Sequence, residues 1–139
     1  MVRIQEFEEQ YGEAIIEFIL NIQQNEFGVP ITIDDQKDLL NIAAFYQNGK
    51  GNFWIAIEDG KLVGTIALIH IGNRQGCLRK LFVQQDFRGK AIGVSALLLN
   101  TLLNWARQKD LSAIYLGTTS VLNASHSFYE KNKFELVEE

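Results

Sequence analysis

The fold is decided by residues 83–94, which read VQQDFRGKAIGV. This segment joins a strand-like run to a run in which apolar residues recur every three to four positions. The sequence therefore predicts a strand over residues 77–83 and a long helix over residues 91–109. From Val94 onwards the apolar residues of that helix fall on one face. Such a helix must pack this face on a sheet, and this requirement indicates an α/β fold.

Upstream of this segment, the spacing of apolar residues predicts one short strand and two helices. The strand covers residues 2–7, and the first helix covers residues 11–22. Residues 28–30, Gly-Val-Pro, break the helical pattern. A second helix is predicted to begin at a cap formed by Thr32 or Asp34, because both side chains can accept a hydrogen bond from the first free amides of a helix.

Three strand-like runs follow at residues 53–57, 62–71 and 77–83. Asp59-Gly60 separates the first two runs, and such a dipeptide between apolar runs is a strong signal for a two-residue hairpin turn. A further turn at residues 73–76 separates the second run from the third. An antiparallel meander is the simplest arrangement of these three strands.

Downstream of the long helix, the sequence predicts a strand at 112–116, a helix at 123–131 and a final strand at 134–137. A strand, a helix and a second strand in succession imply parallel pairing through a right-handed crossover. The predicted fold is α/β, with a mixed, mostly antiparallel sheet flanked by helices. The length of 139 residues fits one domain, 1–139.

The composition limits the classes of partner. The formal net charge is −4, and binding to a phosphate backbone needs a basic face, so nucleic acid is not expected. One cysteine, Cys77, excludes an internal disulfide, and with two histidines no metal site is expected. No apolar run approaches the roughly 20 residues of a membrane span. The N-terminus lacks the apolar core of a signal peptide, so we predict a cytoplasmic protein without a membrane partner.

The loop between strand and long helix has the features of a phosphate site. The first amides of a helix have no partner within it and lie at the positive end of its dipole. Small residues such as Gly89 and Gly93 let an anion approach this backbone, and Arg88 and Lys90 add positive charge. The alternative is that the glycines only shape a turn and the basic side chains are solvated. The loop lacks the Gly-Lys-Ser/Thr ending of a Walker loop.

Two segments of the chain carry recognisable motifs. Residues 88–93 read RGKAIG directly after the strand Leu81-Phe82-Val83, and residues 125–134 read SHSFYEKNKF. The first resembles the Arg/Gln-x-x-Gly-x-Gly/Ala signature of the GNAT family of N-acetyltransferases. The second is similar to the Ala-x-x-Phe-Tyr-Glu-Lys-x-Gly-Phe segment of the same family. The order of elements agrees as well, so the resemblance covers nearly the whole chain.

The sequence departs from the family pattern in three places. Ala91 stands at the usual first glycine of the loop, and Asn132-Lys133 replaces the usual x-Gly before Phe134. Family members usually continue to a seventh strand, whereas this sequence ends at Glu139. Three alternatives follow: a shorter sheet, an edge covered by a second copy in a homodimer, or a truncated chain.

The resemblance implies that acetyl-coenzyme A is the co-substrate and supplies the acetyl group. The main-chain amides of Leu81, Phe82 and Val83 are then expected to hold the thioester carbonyl. Further coenzyme contacts are implied at Asn123, Phe128 and Lys131, although a helix cap explains Asn123 equally well. The pyrophosphate is expected to bind the loop amides, which belong to Arg88, Gly89, Lys90, Ala91, Ile92, Gly93 and Val94.

The resemblance also implies a general acid and a general base. Tyr129 stands where the family commonly has a tyrosine beside the thioester sulfur. With an ordinary pKa near 10, a phenol there is protonated at neutral pH and can donate a proton to the departing thiolate. The alternative is that Tyr129 is a packing residue between helix and sheet. The strand 77–83 carries none of the acidic residues that often act as the base. Glu26, after the first helix, is the candidate base, with a solvated surface carboxylate as the alternative.

We therefore predict an N-acetyltransferase that moves an acetyl group to a primary amine by direct attack. The acceptor is expected to be a small molecule or a peptide. Two alternatives remain open at this stage. One is a catalytically silent acyl-coenzyme A binding or sensor module on the same fold, and the other is a small α/β interaction domain with no nucleotide. A thermal shift with coenzyme A separates the last from the other two.

Overall fold

The structure, a computed structural model, describes residues 2–87 and 93–116. Its helices are α1 (Gly12–Asn21), α2 (Ile42–Tyr46) and α3 (Val94–Gln108). Its strands are β1 (Arg3–Glu6), β2 (Asn52–Glu58), β3 (Lys61–Gly72), β4 (Gln75–Val83) and β5 (Ala113–Leu116). The predicted last helix (123–131) and last strand (134–137) lie outside the described residues, and so does the sheet edge on which the homodimer prediction rests.

The described strands form one sheet in the order β1-β2-β3-β4-β5. Each neighbouring pair up to β4 is antiparallel, and β4 pairs with β5 in parallel. Asp59 and Gly60 join β2 to β3, with φ angles of 50° and 78°. These left-handed angles are what a two-residue hairpin turn of this type requires. The predicted meander and the mixed, mostly antiparallel sheet are confirmed.

A hydrophobic core lies on each face of the sheet, because neighbouring side chains of a strand point to opposite faces. On one face α3 packs through Val94 and three fully buried leucines against β2, β3 and β4, and we call this the α3 core. On the other face α1 and α2 pack against the same strands, and we call this the α1 core. The residues of the α1 core include Ile15, Ile19, Leu39, Tyr46, Phe53 and Ala67.

The second predicted helix differs from the prediction. The chain instead forms short 3-10 turns at Ile33–Asp35 and Lys37–Leu40, and only α2 is α-helical. Thr32 begins the first turn, where its amide donates to Asp35 Oδ2 at 3.0 Å. Gln36 and Asn41 interrupt the helix, with ψ angles of 55° and 60°.

The side chain of Gln36 gives the physical reason for this interruption. It is 3% exposed, and it exchanges hydrogen bonds with Gln23 at 2.7 and 3.1 Å. It also accepts a hydrogen bond from Lys80 on β4. A buried amide must keep its partners, so these contacts outweigh the preference of the local sequence for one continuous helix.

Gly51 offers a test of how closely α2 and β3 approach one another. A Cβ atom at this position would lie 2.5 Å from the Tyr46 carbonyl oxygen and 2.6 Å from the Leu68 carbonyl oxygen. Both obstacles are backbone atoms, which cannot rotate away. We expect Gly51→Ala to lower the free energy of unfolding by about 3 kcal/mol, measured by denaturant titration.

Gly12→Ala is the matched control, because nothing lies within 4 Å of a Cβ atom built there. Its stability should change by no more than about 1 kcal/mol, in the direction of higher stability, since alanine favours a helix. Equal stability losses in the two variants would contradict the close approach at Gly51.

Candidate active site

The described part of the parallel ladder between β4 and β5 covers the first residues of β4. Its register pairs run from Gln75 with Ala113 to Leu78 with Leu116. β5 is described only as far as Leu116, so the pairing of residues 79–83 on this side of β4 lies outside the described residues. The three residues predicted to hold the thioester, Leu81, Phe82 and Val83, end β4 at Val83.

A bulge distorts β4 immediately before these residues. Thr65 of β3 is in register with Phe82, but Ala67 is in register with Arg79, so Lys80 and Leu81 together face the single residue between them. Lys80 has a φ angle of 55°, which a non-glycine residue rarely adopts. The hydroxyl of Thr65 donates to the Lys80 carbonyl oxygen at 2.7 Å. This bond satisfies a carbonyl that the bulge removes from the regular ladder.

The Lys80 side chain enters a polar cluster under the connection between α1 and α2. Its ammonium donates to Gln36 Oε1 and lies 3.7 Å from Asp38 Oδ2. The Tyr46 hydroxyl donates to the same carboxylate oxygen. The side chains of Lys80 and Asp38 are only 14% and 11% exposed. We call Gln36, Asp38, Tyr46 and Lys80 the Lys80 cluster.

Burial shifts the pKa values of two groups in this cluster. Burial lowers the pKa of the Lys80 ammonium; the Asp38 carboxylate opposes this effect, and the positive charge of Arg79 adds to it. Burial raises the pKa of the Tyr46 hydroxyl, and so does its hydrogen bond to Asp38. Tyr46 is therefore a neutral hydrogen-bond donor throughout the physiological range, and Lys80 carries a charge that the fold disfavours.

No motif in the sequence points to the Lys80 cluster. The available signal was Arg79-Lys80, two consecutive cations within an otherwise apolar strand. Contacts with Gln36 and Asp38 span more than 40 positions of the chain and could not be read from local spacing.

The structure places part of the predicted coenzyme site. Phe82 packs on the α1 core, whereas Leu81 packs on the α3 core and Val83 belongs to it. Gly93 precedes α3 with a φ angle of 68°, and its carbonyl accepts the first hydrogen bond of the helix, from Leu97 at 3.0 Å. The side chain of Val94 is fully buried in the α3 core, so only its main chain could face a ligand.

Glu26 ends a short π-helical turn, Ile22–Glu26, that continues α1, and its side chain is exposed. Its role as the base stays a prediction. The other predicted contacts lie outside the described residues and also stay predictions. These are Arg88, Gly89, Lys90, Ala91, Ile92, Asn123, Phe128, Tyr129 and Lys131.

Residues 16–134 match the family described as Acetyltransferase (GNAT) family. The chain belongs to the GNAT family of acetyltransferases. The match covers most of the sequence, including both motifs and the bulged strand. The resemblance seen in the sequence is therefore confirmed, and the fold described above is that of a GNAT chain.

Known proteins agree with this placement. A GNAT acetyltransferase from Staphylococcus aureus is 37% identical, with a TM-score of 0.96 over 100% of this chain and 87% of that chain. N-acetylaspartate synthetase of Xenopus tropicalis is 36% identical over 104 residues, which are 72% of this chain. The match between the chain described here and that relative spans only 37% of the relative's length.

A more distant structure shows the same fold with a ligand. It is a predicted acetyltransferase from Clostridium acetobutylicum with acetyl-CoA, 19% identical, with a TM-score of 0.80 over 100% of this chain and 93% of that chain.

Within residues 2–87 and 93–116 of the chain described here, no helix is long and apolar enough to cross a membrane. The same ranges contain no group of three or more His, Cys, Asp or Glu side chains able to hold a metal ion.

Proposed function

We propose that this chain is an acetyl-CoA-dependent N-acetyltransferase that acts on a primary amine of a small acceptor by direct attack. Membership of the GNAT family is the observation that carries the proposal. Two features of the fold fit the co-substrate. One is the bulge in β4 just before the proposed thioester site, and the other is the left-handed Gly93 at the start of α3.

The amides of Leu81, Phe82 and Val83 are proposed to bind the thioester carbonyl. When bound, acetyl-CoA supplies a carbonyl carbon that a neutral amine can attack. Negative charge then develops on the carbonyl oxygen, and main-chain donors fixed by the sheet can stabilise it without rearranging. The bulge at Lys80 sets the direction of the backbone just before these donors, and the Thr65 hydroxyl holds that bulge in place.

Two protons must move in the reaction. The acceptor amine loses one proton, for which Glu26, directly or through water, is the proposed base. The carbon–nitrogen bond forms first and gives a tetrahedral intermediate. When this intermediate collapses the carbon–sulfur bond breaks, and the departing thiolate takes a proton from the Tyr129 hydroxyl. A silent binding module on the same fold is the second candidate, because the described part of β4 carries no acidic residue.

The acceptor is proposed to be a small molecule. One relative is named N-acetylaspartate synthetase, which is an enzyme that attaches an acetyl group to an amino acid. The decisive experiment is an amine screen with acetyl-CoA and detection of the released thiol. Thiol release that depends on an amine would support the transferase. A thermal shift with coenzyme A but no turnover on any amine would identify the silent module instead.

The loop at Gly93 provides a separate test of the coenzyme site. Gly93→Leu is expected to raise the dissociation constant of coenzyme A more than about tenfold, because a side chain there would block the approach of the pyrophosphate to the backbone. Isothermal titration would measure this change.

Gly60→Leu is the control for backbone strain. Gly60 also has a left-handed φ angle, 78°, and no atom lies within 4 Å of a Cβ built there. It lies in the turn between β2 and β3, which is not part of the loop proposed to bind the pyrophosphate. Coenzyme A should bind this variant as tightly as the parent. Unchanged affinity in Gly93→Leu would show that the pyrophosphate binds elsewhere.

A further inference from the structure

Arg79 and Lys80 lie on the α1 face of β4, directly before the proposed thioester site. Arg79 is in register with Ala67, which belongs to the α1 core, and Phe82 packs on the same core. Lys80 reaches Gln36 and Asp38 in the connection between α1 and α2. Leu81 faces the opposite core, so the cations and Phe82 share the face on which α1 packs.

The charges on this face do not balance. The described ion pairs join Lys80 to Asp38 and Arg74 to Asp110. Within residues 2–87 and 93–116, Arg79 therefore has no carboxylate partner. Of the two cations of β4, Lys80 is paired with Asp38, and the positive charge of Arg79 is not compensated by a described ion pair, in a chain whose formal net charge is −4. The positive charge of Arg79 also lowers the pKa of Lys80 and opposes the rise in the pKa of Tyr46, so Arg79 lies near both groups.

We propose that Arg79 binds a carboxylate carried by the amine acceptor, so that the acceptors of this enzyme are amino acids or other small amines with a carboxylate near the amine. The proposal rests on the proposed function and adds the class of substrate. Lys80 is already bonded to Gln36 and paired with Asp38, whereas the Arg79 side chain is exposed. The planar guanidinium can donate two parallel hydrogen bonds to a carboxylate.

The distance along the strand fits this assignment. Arg79 precedes Leu81 by two residues, roughly 7 Å along a strand, which the long arginine side chain can span. A carboxylate bound by Arg79 would therefore place a nearby amine beside the thioester. The coenzyme phosphates are the wrong ligand for Arg79, because the loop that is proposed to bind them begins after Val83, roughly 13 Å further along β4.

The Lys80 cluster has a supporting role. Asp38 neutralises Lys80 and is itself held by the Tyr46 hydroxyl, so of the two cations of β4 it is Arg79 that remains available to an acceptor. A single uncompensated positive charge matches one carboxylate, whereas a phosphate carries a charge of about −1.5 to −2 at neutral pH. The charge balance therefore favours a carboxylate.

The test compares acceptors that differ only in this group. L-aspartate, L-glutamate and L-alanine are assayed beside their carboxamides with acetyl-CoA and thiol detection. The parent should prefer carboxylates, and Arg79→Gln should lower the ratio of kcat/KM for acid over amide at least about tenfold, mainly through KM for the acid. Acids and amides differ in the pKa of the amine, but this difference is the same for every enzyme variant. It therefore cancels when the acid-over-amide ratio of one variant is compared with that of another. Arg79→Lys should recover part of the preference, because lysine restores the positive charge but cannot donate the two parallel hydrogen bonds of a guanidinium.

Arg74→Gln is the matched control. Arg74 is an exposed arginine at the β3–β4 turn, paired with Asp110, and its loss should leave the acid-over-amide ratio unchanged. A coenzyme A thermal shift equal to that of the parent would show that Arg79→Gln is folded.

Three results would overturn the proposal while leaving the proposed function intact. One is turnover of acids and amides with equal efficiency by the parent. Another is an equal loss on both by Arg79→Gln. The third is a preference for O-phosphoethanolamine over β-alanine, which would assign Arg79 to a phosphate. Absence of turnover on every amine, with coenzyme A bound, would overturn the proposed function itself and the acceptor class with it.

Discussion

Tyr129→Phe is expected to lower the turnover number by about 10²-fold or more, while stability and coenzyme A affinity change little. The thiolate of coenzyme A is a basic leaving group, and the proposed role of the Tyr129 hydroxyl is to protonate it as the carbon–sulfur bond breaks. Phenylalanine keeps the ring and its packing but removes the proton donor. The measurement is steady-state kinetics with an acceptor that the parent uses.

Tyr11→Phe is the control for loss of a tyrosine hydroxyl. Tyr11 lies beside α1 and packs on the α1 core, away from β4. Its variant should keep the turnover number of the parent. A turnover number for Tyr129→Phe equal to that of the parent would assign protonation of the thiolate to water or to another group. A loss of coenzyme A affinity without a change in turnover would assign Tyr129 to binding.

Asp38→Asn is expected to lower the free energy of unfolding by about 3 kcal/mol. The carboxylate is the only anion paired with Lys80 in the described part of the chain, and both side chains are largely buried. Asparagine preserves the shape and can still accept a hydrogen bond from Tyr46, so the change removes mainly the charge. Denaturant titration at neutral pH measures the loss.

Two further variants show whether this loss comes from the ion pair. Asp110→Asn removes the partner of Arg74 in an exposed pair, with side chains 58% and 76% exposed, and should cost less than about 1 kcal/mol. Asp38→Asn combined with Lys80→Met should be more stable than Asp38→Asn alone, because the uncompensated charge is gone. A loss in Asp38→Asn no larger than in Asp110→Asn would contradict the structural role of the pair.

The pH dependence of Asp38→Asn has a definite sign. The folded state lowers the pKa of Lys80 below its ordinary value of 10.5, and Asp38 opposes this shift. Without Asp38 the pKa in the folded state falls further. Below that pKa both states carry the proton and the penalty is complete. As the pH rises towards 10.5, the folded state loses the proton first, so the stability deficit of the variant should shrink. A deficit independent of pH would exclude Lys80 as its source.

The order of elements could be predicted because it depends on local patterns. Asp59-Gly60 fixes a hairpin within two residues, and the change of apolar period at Gly93 marks the start of α3. The motif at residues 88–93 indicated the family, which is confirmed. The coenzyme contacts that the family resemblance implies stay predictions.

The residues of the proposed acceptor side are brought together only by tertiary structure. The interrupted helix at Gln36, the bulge at Lys80 and the pairing of Lys80 with Asp38 join segments far apart in the chain, and Lys80 and Gln36 are separated by 44 positions. Local propensity favours a continuous helix and a regular strand in these places. Burial of polar groups overrides both, because a buried amide or ammonium without a partner costs more free energy than a broken helix or a strand bulge. The sequence by itself determined the order of the described strands, the helices α1 and α3, and the family. The packing of the connection between α1 and α2 against β4 determined that Lys80 meets Gln36 and Asp38, and the proposed role of Arg79 rests on that arrangement.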